Sequence, residues 1–375
     1  MPPPVLDCYA ITPPGVEALT AGELAALGVT ADATEPGGVS FRATLAQVIV
    51  ANLELRTASR VLVRVASFHA SAFHELERRT ARLPWEAYVP PGAGISFRIT
   101  SRKSKLYHQG GVAERLAGAA ARRVPGAHLA GDAAAQRFVV RLFHDDCTIS
   151  ADASGDHLHQ RGYRLATAKA PLRETLAAAM LLALGWAGAA PLVDPLCGSG
   201  TIPIEAALLA RRVAPGLRRA FALERWPSFD PATLRAAVAR AEERILPRAP
   251  APIVGADRDA GAIVAAAANA ARAGVVEDIG FRRAAVSALE PPPGVGVIVT
   301  NPPYGVRVGR SRDLRDLYAR LGQVLRRRCP GWGVALLSAR AELAAQLGLD
   351  LSTALATTNG GLRVRLLTGA VPAAG

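Results

Sequence analysis

The sequence predicts an α/β protein whose second half, residues 171–375, is a doubly wound sheet closed by a C-terminal hairpin. Three observations predict it. From about residue 190, short apolar runs alternate with segments of helical spacing, the pattern of strands joined by crossover helices. One of those runs ends in a small-residue loop, Asp194-Pro195-Leu196-Cys197-Gly198-Ser199-Gly200-Thr201, and Pro203 then suits the first turn of a helix. A later run ends in Asn301-Pro302-Pro303-Tyr304-Gly305. In an open α/β sheet both loops fall on the carboxyl edge, where ligands bind.

In chain order, residues 1–60 read as a small α/β unit: strand 8–11, helix 16–27 stopped by Gly28, strand 39–41 and helix 45–52. Strand 60–65 leads into a second unit, 61–156, with helix 71–82, strand 95–99, helix 111–123 and strands 138–143 and 147–152. Residues 157–170 form a basic connector. The third unit, 171–375, opens on a buried helix and strand 192–194, followed by helix 202–210 and an insertion over 211–251. Then come strand 253–257, helix 261–273, a strand around Phe281, strand 295–300, helix 314–327 and strand 334–338. The hairpin 355–367 turns on Asn359-Gly360-Gly361.

The formal charge of +13 points to an anionic partner, most simply nucleic acid. Residues 1–160 hold 16 basic and 15 acidic side chains, so the excess belongs to the second half. Four cysteines without C-x-x-C spacing indicate neither a zinc site nor a disulfide framework, and a reducing cytoplasm is expected. His108, His157 and His159 lack carboxylates or thiols at ligand spacing, so no metal is expected. The uncharged run 176–193 is broken by Gly185, Gly188 and Pro191, and reads as a buried helix, loop and strand rather than a membrane span. The sequence leaves oligomeric state open.

Gly198 and Gly200 let the backbone turn and approach a ligand, and Asp257, ending the second strand, suits two ribose hydroxyls. These residues fit a dinucleotide or S-adenosylmethionine equally. Asn301-Pro302-Pro303-Tyr304 favours the second. An exocyclic amino nitrogen must have its lone pair freed from the base before it can be methylated. The Asn301 side-chain oxygen and the Pro302 carbonyl can accept its two N–H groups, and Pro302 and Pro303 carry no competing N–H. Tyr304 offers a face for an extruded base. Arg102, Lys103 and Lys105 beside Tyr107 can grip phosphates and stack on a base, although such a run also fits a solvated loop.

Taken together, these motifs resemble those of the THUMP-containing guanine-N2 methyltransferases of RNA, most closely the branch acting on large-subunit (23S) ribosomal RNA. The likeness runs through Ser101 to His108, His159-Gln160-Arg161-Gly162-Tyr163-Arg164, Ala170-Pro171-Leu172-Arg173-Glu174, the loop Asp194 to Thr201, Ala214-Pro215-Gly216-Leu217, Gly255-Ala256-Asp257, and Asn301 to Gly305 with Arg307. It implies a class I (Rossmann-like) methyltransferase domain behind ferredoxin-like and THUMP RNA-binding units. S-adenosylmethionine is then held by Asp194, Gly198, Gly200 and Asp257, with Cys197, Ser199 and Thr201 lining the same loop. Asn301, Pro302 and Tyr304 hold the guanine. Arg161, Arg164 and Arg307 join the loop cations as expected RNA contacts. Two departures stand out: Ala285 replaces an acid that relatives commonly place after strand three, and Val306 replaces the acid that usually follows the motif.

The expected activity is methylation of a guanosine N2 amine in 23S rRNA. The same chemistry on transfer RNA, N6-adenine methylation, and a non-catalytic ribosome-assembly factor remain alternatives at this point.

Overall fold

A computed structural model describes residues 3–131, 135–165, 172–304 and 311–373. The chain forms two compact units, one of Met1–Thr12, Ala21–Leu158 and Arg219–Ala239, the other of Pro13–Thr20, His159–Arg218 and Arg240–Gly375.

Up to residue 158 the elements are β1 (Val5–Ile11), α1 (Glu17–Ala26), β2 (Ala31–Glu35), β3 (Gly38–Thr44), α2 (Leu45–Glu54) and β4 (Arg60–His69). They continue with α3 (Phe73–Thr80), β5 (Gly94–Arg102), α4 (Gln109–Arg123), β6 (His128–Leu129), β7 (Gln136–Phe143) and β8 (Asp146–Asp152). All eight strands make one sheet, in the order β2-β3-β1-β4-β8-β7-β5-β6. Residues 1–60 and 61–156 share it because β4 pairs antiparallel with β1 on one side and β8 on the other. Alternation decides the faces: Val61, Val63, Phe138, Val140, Leu142, Cys147 and Ile149 are buried, and the residues between them point the other way. Helix α2 starts on a reciprocal cap. Thr44 accepts from the Gln47 N–H at 3.3 Å, and the Gln47 side chain accepts from the Thr44 N–H at 2.9 Å.

The insertion expected over 211–251 has structure of its own. It contains the short 3₁₀ turn Ala222–Arg225 and α7 (Pro231–Glu242). Trp226 within it donates through Nε1 to Gln136 at 2.9 Å and meets Tyr88 edge-on at 5.0 Å, anchoring this segment to the eight-stranded sheet.

The second unit begins with α5 (Glu174–Ala183), β9 (Leu192–Asp194) and α6 (Thr201–Ala210). After the insertion come β10 (Ile253–Asp257), α8 (Ala260–Ala273), β11 (Ile279–Arg283), β12 (Val297–Thr300), α9 (Ser311–Arg328), β13 (Gly333–Ser338) and α10 (Ala341–Ala345). The hairpin β14 (Leu351–Asn359) and β15 (Leu362–Ala370) closes the chain. The sheet order is β11-β10-β9-β12-β13-β15-β14, parallel except where β15 runs antiparallel to both neighbours. Leu176, Met180, Ile204 and Ala270, from α5, α6 and α8, pack into one core, and Leu314, Tyr318, Leu321 and Leu343, from α9 and α10, into another. Strand order reverses between β9 and β12, so the crevice beyond their carboxyl ends is the topological switch point. Among the described residues no helix is long and apolar enough to cross a membrane.

β2, β6 and α10 leave no pattern to read: β2 is a mostly exposed edge strand without alternation, β6 has two exposed residues, and α10 has only five residues.

Candidate active site

β9 lies between β10 and β12, with Asp194 level with Gly255. Asp194 is 1% exposed. Its Oδ1 accepts from the Leu196 N–H at 3.1 Å and from the Thr300 hydroxyl at 2.7 Å, tying the end of β12 to the start of the loop after β9. Burial nevertheless pushes its carboxyl up to about 7, because desolvation outweighs both hydrogen bonds. Asp257, at the end of β10, is half-buried. Its two oxygens accept from the Gly198 N–H at 3.0 Å and the Asp259 N–H at 2.9 Å, and each keeps a lone pair for a further donor.

The glycine loop is held from behind and open in front. Gly200 caps α6 in the left-handed region at φ 83°, and a Cβ there would stand 2.9 Å from the Ala266 Cβ. A Cβ on Gly198 would meet nothing within 4 Å, so the loop faces free space there. Asn269 Nδ2 donates to the Ser199 carbonyl at 3.0 Å, and Arg164 donates to the Thr201 hydroxyl at 2.8 Å. Cys197 is buried, its N–H donates to the Ala256 carbonyl at 2.9 Å, and its thiol is pushed up by burial.

β12 delivers Asn301 to the same edge. The Asn301 Oδ1 is buried and has no hydrogen-bond partner among the described residues. A buried carbonyl oxygen without a donor is costly. Pro302 is buried and Pro303 exposed. The Tyr318 hydroxyl donates to the Pro303 carbonyl at 3.4 Å. Tyr304 packs against both cores of this unit, and its hydroxyl accepts from Asn359 Nδ2 at 2.9 Å.

The cations expected to contact RNA divide into two groups. Arg102, Lys103, Lys105 and Tyr107 are exposed, Tyr107 by 78%. Their loop is pinned by Asp145, which accepts from the Lys105 N–H at 2.7 Å and donates its own N–H to Ser104 at 2.9 Å. His108 accepts from the Gly111 N–H at 2.9 Å and caps α4. Arg161 and Arg164, by contrast, are turned inward. Arg161 is 3% exposed and pairs with buried Glu205 at 3.2 Å, and Arg164 pairs with Glu174 at 3.2 Å. The same Glu205 accepts from the Tyr163 hydroxyl at 2.9 Å, and Arg272 donates to the Tyr163 carbonyl at 2.8 Å. Arg164 thus braces the end of the glycine loop, and Arg161 the helix that follows it, from inside the unit. Arg307, Val306 and Gly305, with Ala170 and Pro171, lie outside the described residues. Ala285 sits two residues past β11, exposed, and the neighbouring Ala284 N–H donates to the Asp257 carbonyl at 2.9 Å.

Three positioning residues escaped the sequence reading: Thr300, Asn269 and Asn359. Thr300 and Asn269 look like ordinary strand and helix positions, and only the fold shows their partners. Asn359 sits in an Asn-Gly-Gly run that turn chemistry fully explains. The four cysteines are buried and free, and no group of His, Cys, Asp and Glu among the described residues could hold a metal ion.

Residues 161–366 match the RMKL-like methyltransferase domain family, and residues 7–62 match the RlmL ferredoxin-like domain. A ribosomal RNA large subunit methyltransferase K/L from Syntrophotalea carbinolica is 37% identical over 96% of this chain and 53% of its own length. The chain thus spans about half the length of that relative. A Synechocystis protein provisionally named an RNA methyltransferase is 33% identical over 96% of this chain and 95% of its own. Among solved structures, SMU.472 complexed with SAH superposes with a TM-score of 0.89 at 28% identity, covering 99% of both chains. With more than half its length matched and a full-length relative at that identity, the chain belongs to the RMKL-like methyltransferase family.

Proposed function

We propose that this protein methylates the exocyclic N2 amine of a guanosine in large-subunit ribosomal RNA. The observation that carries this reading is the buried Asn301 Oδ1 just past β12, which has no hydrogen-bond partner among the described residues. The cofactor is S-adenosylmethionine, which supplies the methyl group when bound. The chain's own residues fit it. The space before Gly198 admits a ligand against the backbone, Asp257 has lone pairs left for ribose hydroxyls, and the first turn of α6 follows a glycine cap that offers its amides no side chain. Ala285 offers no carboxylate to an adenine, so that end of the pocket relies on backbone groups or on exposed Ser287.

On the acceptor side, Asn301 Oδ1 and the Pro302 carbonyl take the two N–H groups of the guanine amine. They hold the nitrogen toward a tetrahedral shape with its lone pair aimed for in-line attack. Tyr304, fixed by Asn359, provides the face on which the extruded base stacks. Such catalysis is mainly positioning and needs no strong general base. The first unit, a ferredoxin-like portion over 1–60 and a THUMP portion over 61–156, grips the RNA, with Arg102, Lys103, Lys105 and Tyr107 as its exposed loop contacts. The names of the ribosomal RNA relatives and the chain's +13 charge support RNA as the partner.

The test is to incubate the protein with S-adenosylmethionine and unmodified 23S rRNA or tRNA, then digest the RNA and separate its nucleosides. New N2-methylguanosine in 23S rRNA is expected. N6-methyladenosine, or methylation confined to tRNA, overturns the substrate assignment.

A further inference from the structure

The near balance of charge over residues 1–160 hides how those charges are placed. On the face of the eight-stranded sheet turned away from buried Val63, Val140 and Ile149, a cavity of about 260 Å³ is walled by Tyr9, Glu35, Arg64, Arg141 and Ser150. Its floor is built rather than incidental. The Arg64 guanidinium lies 4.9 Å from the Tyr9 ring centroid and 3.9 Å from Glu35. Beneath, the Tyr9 ring rests on Gly38, where a Cβ would stand 2.4 Å from it. Burial and the nearby Glu35 push the Tyr9 phenol up to about 12, so it remains a hydrogen-bond donor at neutral pH.

The face continues in register. Thr100 pairs with Arg141 and Arg102 with Phe143, and alternation along β5 turns Arg98 to the same side. Phe143 is 41% exposed, with the Arg141 guanidinium 5.5 Å from its ring centroid. The acids on this face are already matched. Glu35 faces Arg64, Asp7 lies 3.6 Å from Arg42, Asp146 lies 3.2 Å from His69, and Asp152 sits buried beside Arg60 and Arg137. Arg98, Arg102 and Arg141 have no carboxylate partner among the described residues. The surface thus joins surplus cations, an exposed ring and a base-sized recess, the combination that binds single-stranded nucleic acid.

We propose that this sheet face carries an unpaired stretch of the RNA substrate, with one base in the Tyr9–Arg64 recess, a second stacked on Phe143, and phosphates on Arg98, Arg102 and Arg141. This rests on the RNA reading above and adds a second contact region beyond the Lys103–Tyr107 loop. From β1 across β4 and β8 to β7 is about 14 Å, three strand spacings, which suits the two or three bases that a four-stranded sheet of this kind displays. Glu35 at the mouth of the recess favours a base that presents N–H donors.

Fluorescence anisotropy with labelled single-stranded RNA across a potassium chloride series tests it on the full chain. Arg141→Ala is expected to weaken binding and to flatten the salt slope by about 0.7, the value for one phosphate on a single strand. Phe143→Ala is expected to weaken binding roughly tenfold without changing the slope. Both variants should keep the wild-type melting profile and wild-type affinity for S-adenosylhomocysteine by calorimetry, which shows that the mutated unit and the methyltransferase unit are intact. In the unmutated protein, a 4-thiouridine oligonucleotide should crosslink to peptides from β1, β4 or β7. If Lys103→Ala and Lys105→Ala weaken RNA binding while Arg141→Ala and Phe143→Ala do not, the loop reading stands and the sheet-face proposal is wrong. If none of them alters RNA binding, the RNA reading itself fails.

Discussion

The Thr300 hydroxyl donates to Asp194 Oδ1 at 2.7 Å, joining the strand that carries the Asn-Pro-Pro turn to the strand that carries the glycine loop. Through it, the two halves of the site share one buried carboxyl group. Thr300→Val keeps the shape and removes the donor. We expect a stability loss of about 1–3 kcal/mol, the cost of leaving a buried acceptor short of a partner. S-adenosylhomocysteine affinity should fall with it. Thermal unfolding and calorimetry on the purified variant check both, and an unchanged affinity would separate the β12 contact from the cofactor loop.

Asp194 also sets a pH dependence. Folded, its carboxyl holds a proton up to about pH 7, whereas an ordinary aspartate releases it near 3.8. The folded state therefore binds more protons between those values, and its stability falls as pH rises through that window. Asp194→Asn keeps an oxygen for Thr300 and Leu196 but cannot titrate. Its stability relative to wild type should rise with pH between about 4 and 7, by up to about 1.4 kcal/mol per pH unit. Denaturant melts at three or four pH values measure this; a constant difference contradicts it.

Arg161 and the loop cations should behave in opposite ways. Breaking the buried Arg161–Glu205 pair leaves an uncompensated charge, so Arg161→Ala should cost about 3–5 kcal/mol of stability. Replacing exposed Lys103 and Lys105 with alanine should leave the melting temperature unchanged and weaken RNA binding, with a shallower salt slope. Parallel melting and anisotropy titrations distinguish the two roles.

Asn359→Ala removes the donor that holds the Tyr304 hydroxyl. We expect kcat to fall roughly tenfold, with KM for S-adenosylmethionine unchanged, because a looser ring misplaces the base but not the cofactor. A rise in the cofactor KM alone would show that the hairpin serves the other half of the site.

The contrast between Arg161 and Lys103 also shows what the sequence could and could not reveal. The second unit was legible almost strand by strand, since apolar runs, glycines and prolines mark parallel strands and their turns directly. Asp194, Asp257 and Asn301 were placed on one edge by the switch-point rule alone. Pairings between distant residues leave no local signal, so Thr300 and Asn269 read as ordinary strand and helix positions. Arg161 and Arg164 lie in a basic stretch that looks like a surface, yet carboxylates far along the chain, Glu205 and Glu174, draw them inside. Counting charge along residues 1–160 failed for the complementary reason. Strand alternation sorts neighbouring residues onto opposite faces, so a balanced total coexists with a cationic surface.

Replacing the Asn301 Oδ1, the proposed acceptor for the target amine, is the most direct test. Asn301→Ala should bind S-adenosylhomocysteine as wild type does, yet single-turnover methyl transfer to 23S rRNA should fall by about 10²-fold or more, the scale of losing one oriented polar contact in a transition state. Wild-type transfer rates from Asn301→Ala, with cofactor affinity intact, would contradict the assignment of this oxygen as the acceptor for the target amine.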